Sequence, residues 1–174
     1  MSGLDRTAAG GRRKAAGCMV MSRRTGRFLF CFRPLQAASG GTWSLWGGKR
    51  EGGETAIEAA LRETEEETGY RGPSEVSHLH RLDTRTFAYD SFLMVVEDEF
   101  EPRPCVEWAD WKWVALEEVP SPMHWGLAEL LSDRTAAALL VKAVENMSGR
   151  PCRFAPPQQR SQDRESFERA HERG

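Results

Sequence analysis

Residues 48–70 read GKREGGETAIEAALRETEEETGY, a glycine-rich turn running into a helix with a string of glutamates near its end. Thr55 followed three residues later by Glu58 has the form of a capping box, in which hydroxyl and carboxylate each satisfy a backbone amide left open at the helix start. Gly69 stands where a left-handed C-terminal cap belongs. Between these ends Ile57, Ala60, Leu61, Thr64 and Thr68 recur at helical spacing, which predicts a buried stripe on the face away from Glu63 and Glu67.

Glu63, Glu66 and Glu67 stand at i, i+3 and i+4, so a helix gathers them on one surface. Like charges at that spacing cost helix stability. A hard divalent cation, Mg2+ or Mn2+, offsets that repulsion, because such ions take carboxylate oxygens together with substrate phosphates and water. The segment therefore points to metal-assisted chemistry on a phosphate. An acidic helix face left to solvent is the plainer alternative.

The full spacing separates the two readings. Gly48, five residues, Glu54, seven residues, then Arg62-Glu63-Thr64-Glu65-Glu66-Glu67-Thr68-Gly69-Tyr70 resembles the Nudix box, G-x5-E-x7-R-E-U-x-E-E-x-G-U, where U is a bulky apolar residue. Every fixed position matches, and Thr64 is the one departure at a U position. That departure touches packing and leaves the ligand positions intact. The resemblance extends over roughly residues 14–147. Residues 42–49 look like the loop leading into the box, with Trp46 where Pro is common. Glu107 followed by Trp111-Lys112-Trp113-Val114 is similar to the acidic loop and next strand of many bacterial and phage members of MutT type.

The resemblance implies an α/β fold, an α/β/α sandwich with a mixed central sheet between helices. It implies metal-dependent hydrolysis of a phosphoanhydride bond in a nucleoside diphosphate linked to another group. Glu63 and Glu67 then hold the metal, Glu66 is a ligand or is shared between two ions, and the backbone carbonyl of Gly47 completes the set. Arg62 and Glu54 support these carboxylates, since a guanidinium offers a planar fork that holds a carboxylate in place. Glu107 is the loop candidate for metal binding or for the general base, a role that Glu63 can also fill. Glu65 faces solvent. Arg33, Trp43, Lys49 and Tyr89 are the candidate substrate-binding residues: Arg33 ends a strand where phosphates would lie, and Trp43 and Tyr89 offer rings to a base. His78, His80, His124 and His171 form no ligand pattern.

Outside the box the cues to substrate are negative, and elimination favours a (deoxy)nucleoside triphosphate cleaved to monophosphate and pyrophosphate. ADP-ribose or a dinucleotide, an RNA 5′ end, and a non-catalytic nucleotide-binding regulatory domain are the alternatives.

The chain of 174 residues divides into a basic arm at 1–14, a single Nudix domain at 15–147 and a tail at 148–174 expected to be disordered. Net charge is −2; residues 1–16 carry +3 and 148–174 carry +2, so 17–147 carry −2 − 3 − 2 = −7. An acidic core disfavours a bare nucleic-acid groove and suits a metal-loaded nucleotide site. Cys18, Cys31, Cys105 and Cys152 are widely spaced and read as free thiols, and no apolar run is long enough to span a membrane. A cytoplasmic protein is expected, and the pattern carries no signal for oligomeric state.

Strands are expected at 15–21 and 27–33 around a turn at 23–26, the second apolar on both faces and central. A short extended piece follows at 43–46. Residues 77–88 and 90–97 should form an antiparallel hairpin, 111–115 a last strand, and 127–147 a helical stripe divided at Ser132.

Overall fold

The computed structural model describes residues 12–157. Seven strands, β1 (Arg13–Ser22), β2 (Phe28–Phe32), β3 (Trp43–Ser44), β4 (Trp46–Lys49), β5 (Ser74–Asp83), β6 (Phe87–Val96) and β7 (Asp110–Val114), accompany helices α1 (Ala56–Thr68), α2 (Trp125–Ser132) and α3 (Arg134–Ser148). The sheet runs β3-β2-β1-β6-β5, with β4 also paired to β1 and β7 to β2. β1 and β6 are parallel, whereas β1 pairs antiparallel with β2 and with β4.

Side chains alternate across the pleat, and the two faces fill two cores. Met19, Met21, Phe28, Phe30, Leu93 and Val95 point to one side, where Leu127, Leu130, Leu131, Leu140 and Val144 of α2 and α3 cover them. Cys18, Val20, Leu29, Phe92, Met94 and Val96 point to the other, under Ala59 and Ala60 of α1. This is the α/β/α sandwich with a mixed sheet. β2 is buried on both faces, as its unbroken apolar run predicts. Trp46, standing where the resemblance favours Pro, is fully buried and donates its indole N–H to the Leu29 carbonyl at 3.0 Å.

α1 begins on the Thr55–Glu58 capping box and ends on Gly69 in the left-handed conformation at φ 71°. Its buried stripe differs from the one expected. Ile57 is exposed and Leu61 half-buried, while Ala59, Ala60, Thr64, Glu67 and Thr68 are buried. Small residues let the helix lie close on β1 and β4, and this turns Glu67 into the interface rather than away from it. The hairpin also differs: the turn falls at 84–86, where Thr84 bonds both the amide and the carbonyl of Phe87. Tyr89 therefore lies within a strand. Threonine's strand propensity hid that turn.

Asp133 divides the last helical stripe, capping α3 by accepting from the Ala136 amide at 2.8 Å. The arm expected at 1–14 falls mostly outside the described residues, and β1 already begins at Arg13. Of the tail expected from 148, residues 148–157 are described, and Cys152 and Phe154 rest on the α2–α3 core. All four cysteines are free thiols. Among the described residues no helix is long and apolar enough to cross a membrane.

Candidate active site

Three elements meet at the site: the end of β4, the loop at 50–55, and the exposed edge of α1. Arg62 is the hub. Its Nε and Nη2 hold the two oxygens of Glu54 at 2.7 and 3.1 Å, its Nη1 reaches Glu63 at 3.0 Å and Glu66 at 3.2 Å, and Nη2 also donates to the Lys49 carbonyl at 3.0 Å. One guanidinium thus joins three acidic residues and the end of β4. Glu54 also accepts from the Glu51 amide, and the two donors hold its carboxyl down at about 2.

Glu67 sits deepest, only 9 % exposed, and accepts from the Gly47 amide at 2.9 Å. Burial pushes its carboxyl up to about 8, with the charges of Glu107 and Glu63 adding to the rise against the pull of the Gly47 amide. Burial also raises Glu63, opposed by Arg62. Gly48 lets the Glu63 carboxyl come close: a Cβ there would lie 2.5 Å from it, and the side chain would have to move aside. The strand backbone is a floor on which that carboxylate rests. Glu65 points away and pairs with Arg71 at 2.7 Å.

The donor chemistry fits a hard cation. Buried or half-buried carboxylates raise one another's pKa, as they do where opposing charge is missing. Among the described residues no three acidic, His or Cys side chains are grouped as they would be around a metal ion, and Arg62 engages Glu63 and Glu66. Glu107 is exposed on the loop before β7, close enough for its charge to reach Glu63 and Glu67. Trp108 ties that loop to α1, donating its indole N–H to the Glu67 carbonyl at 3.0 Å and meeting Trp46 edge-on.

A cavity of about 220 Å³ opens beside Gly47 and Gly48, lined also by Arg33, Lys49, Tyr89 and His124. Three of the four candidate substrate residues meet there. The Arg33 side chain is held by the Ala38 carbonyl. Tyr89 places its hydroxyl where a Cβ on Gly17 or Gly47 would stand, so those glycines admit the phenol. Trp43 is elsewhere: it is buried beside Phe32, under the Lys112 ammonium, and lines neither this cavity nor its larger neighbour. Pairing of β3 with β2 turns that ring into the core. Two site features carry no signal in the sequence. His124 caps α2 through its ring nitrogen, and burial lowers its pKa to about 4. Trp108 is adjacent to Glu107, but only the fold brings it under α1.

Residues 11–134 match the NUDIX domain family. The chain belongs to the Nudix hydrolase family. It is 32% identical over 129 residues to a Mycobacterium tuberculosis protein named "Putative 8-oxo-dGTP diphosphatase 3"; the match covers 68% of this chain and 59% of that one. This Nudix chain thus spans well under two thirds of the relative's length. A MutT Nudix hydrolase from Burkholderia pseudomallei has the same fold, with a TM-score of 0.56 and 26% identity over 71% of this chain and 98% of its own. An Ap4A hydrolase from C. elegans superposes with a TM-score of 0.57 at 21% identity, covering 75% and 98%, and shares the fold.

Proposed function

We propose that this Nudix domain hydrolyses a phosphoanhydride bond in a nucleoside diphosphate derivative, with a (deoxy)nucleoside triphosphate as favoured substrate, yielding monophosphate and pyrophosphate. The observation that carries this reading is the arrangement around Arg62: Glu54, Glu63 and Glu66 on one guanidinium, Glu63 against the Gly48 backbone, and Glu67 buried with its ionised form disfavoured. The mycobacterial relative, named for a nucleoside triphosphate derivative, supports the choice of substrate.

Glu63, Glu66, Glu67, Glu107 and the Gly47 carbonyl are the donors that would hold a divalent cation, Mg2+ or Mn2+, which supplies charge neutralisation on phosphate oxygens and a more acidic water. Arg62 fixes the carboxylates in position, and Glu54 holds Arg62. Arg33 and Lys49 take phosphate oxygens at the cavity, while Tyr89 borders the space for the remainder of the nucleotide. Glu107 accepts the proton of the attacking water, with Glu63 as the alternative base.

The test is a panel of nucleoside triphosphates, dinucleotides, ADP-ribose and triphosphorylated RNA, incubated with Mg2+ or Mn2+ and resolved by mass. Monophosphate and pyrophosphate from a triphosphate are expected. Binding of nucleotides with no turnover under either ion would instead mark a regulatory domain.

A further inference from the structure

A second cavity, about 610 Å³, lies next to the first and shares Ala15, Lys49, Phe87 and Trp125 with it. Its size is within the range of small-molecule sites. The walls come from the start of β1, the end of β4, the loop at 50–54, the β5–β6 turn and the first residue of α2. Five cationic side chains line it, Arg12, Arg13, Lys14, Lys49 and Arg50, against the acids Glu51 and Glu54.

The cations differ in how far they are already engaged. Arg12 pairs with Asp83. Among the described residues Lys14 and Lys49 have no carboxylate within ion-pair distance. Arg50 gives one nitrogen to the Glu54 carbonyl, while its Nε is buried without a hydrogen-bond partner. Of the two lining acids, Glu54 is already held by Arg62, so cations outnumber acids in the lining. Backbone bonding fixes the spacing: Ala15 pairs with Lys49, and the Arg50 amide donates to the Lys14 carbonyl at 3.0 Å. The same lining holds two aromatic rings, Phe87 and Trp125, with centroids 6.2 Å apart, and Phe87 is the strand neighbour of Arg13.

We propose that this cavity is a second nucleotide site, in which Lys14, Lys49 and Arg50 hold phosphate and Phe87 with Trp125 receives a planar ring. Cations and rings lining one cavity suit a ligand that carries both phosphate and an aromatic heterocycle. Such a ligand has two sources: a separate mononucleotide, or the far half of a substrate whose scissile link lies in the first cavity. The second source rests on the hydrolase reading; the site itself does not.

The test separates them. In EDTA, binding of a fluorescent mononucleotide, mant-ADP, is assigned to the cationic cavity by its response to substitutions that line this cavity and not the first. Wild type should bind it, added salt should weaken binding, and Lys14→Glu should weaken it at least tenfold. Thr86→Glu, on the exposed turn lining the cavity, places a carboxylate there with no residue of β1 replaced and should do the same. No binding in EDTA, or binding indifferent to both substitutions, overturns the proposal. With Mg2+, a raised KM for a dinucleoside tetraphosphate in Lys14→Glu, larger than for a triphosphate, assigns the far half of the substrate. An effect of free AMP on wild-type triphosphate turnover that Lys14→Glu abolishes assigns a separate nucleotide. Absence of any turnover refutes the hydrolase reading and leaves the EDTA result to decide the site.

Discussion

Glu67→Gln should remove activity and, in the absence of metal, make the protein more stable. The wild-type carboxyl lies near pH 8 in the fold, against an ordinary value of 4.5, chiefly because it is buried. The folded state therefore holds this proton more tightly than the unfolded chain. Stability associated with the group is complete below about pH 4.5 and is lost as pH rises toward about 8. The slope approaches 1.4 kcal/mol per pH unit in between, and the loss reaches about 3 kcal/mol by pH 7. Glutamine has nearly the same shape, and its side-chain carbonyl still accepts from the Gly47 amide, so the variant lacks only the charge. Urea unfolding in EDTA from pH 5 to 8 measures both proteins. Wild type should lose stability across this window, Glu67→Gln should stay flatter, and Mg2+ should restore wild type selectively. A variant less stable than wild type at pH 7.5 in EDTA, or one with the same slope, would falsify the argument that ionising this buried carboxyl costs stability until a cation binds.

Glu65→Gln should leave kcat/KM within twofold, since Glu65 points away from the site and pairs with exposed Arg71; a large loss would show the helix turned differently. Arg62→Lys should lower kcat/KM at least tenfold, because an ammonium cannot serve Glu54 with a fork while reaching Glu63 and Glu66; full rescue by lysine would mean a point charge suffices. Gly48→Ala puts a Cβ 2.5 Å from the Glu63 carboxyl and should weaken Mn2+ binding by calorimetry, whereas unchanged affinity would remove Glu63 from the donors. His124 is held neutral with a pKa near 4 against an ordinary 6.5, so the unfolded chain takes up its proton first and stability falls as pH drops between those values. The loss is at most roughly 3 kcal/mol, and His124→Asn, which keeps a capping acceptor, should flatten that limb of a pH–stability curve.

The sequence discloses the parts of this fold that are local. The capping box, Gly69 and the division after Ser132 are set by residues within a turn of where they act, and the structure has them there. Arg62 at fixed spacing from Glu54 already implies their pairing. What the sequence does not disclose depends on approach between distant segments. Ile57 and Leu61 look like the buried stripe by hydrophobicity, yet small Ala59 and Ala60 set the contact, because a helix seated close on a sheet needs little volume beneath it. Trp43 offers an aromatic ring at a cavity's edge only until pairing of β3 with β2 decides its face. The cationic cavity gathers residues from four separate stretches of the chain.

The parallel ladder between β1 and β6 joins residues seventy-four positions apart, from Arg13 with Phe87 to Ser22 with Val96. During synthesis the strand at the middle of the sheet emerges early and waits for its neighbour until residue 96 has left the ribosome. An apolar segment exposed that long is a hazard for mispairing, and non-local ladders of this kind slow folding relative to helical domains. Antiparallel pairing with β2 and β4, both nearer in the chain, gives β1 interim shelter. Changes that weaken those two pairings should therefore lower soluble yield in cells more than they lower equilibrium stability.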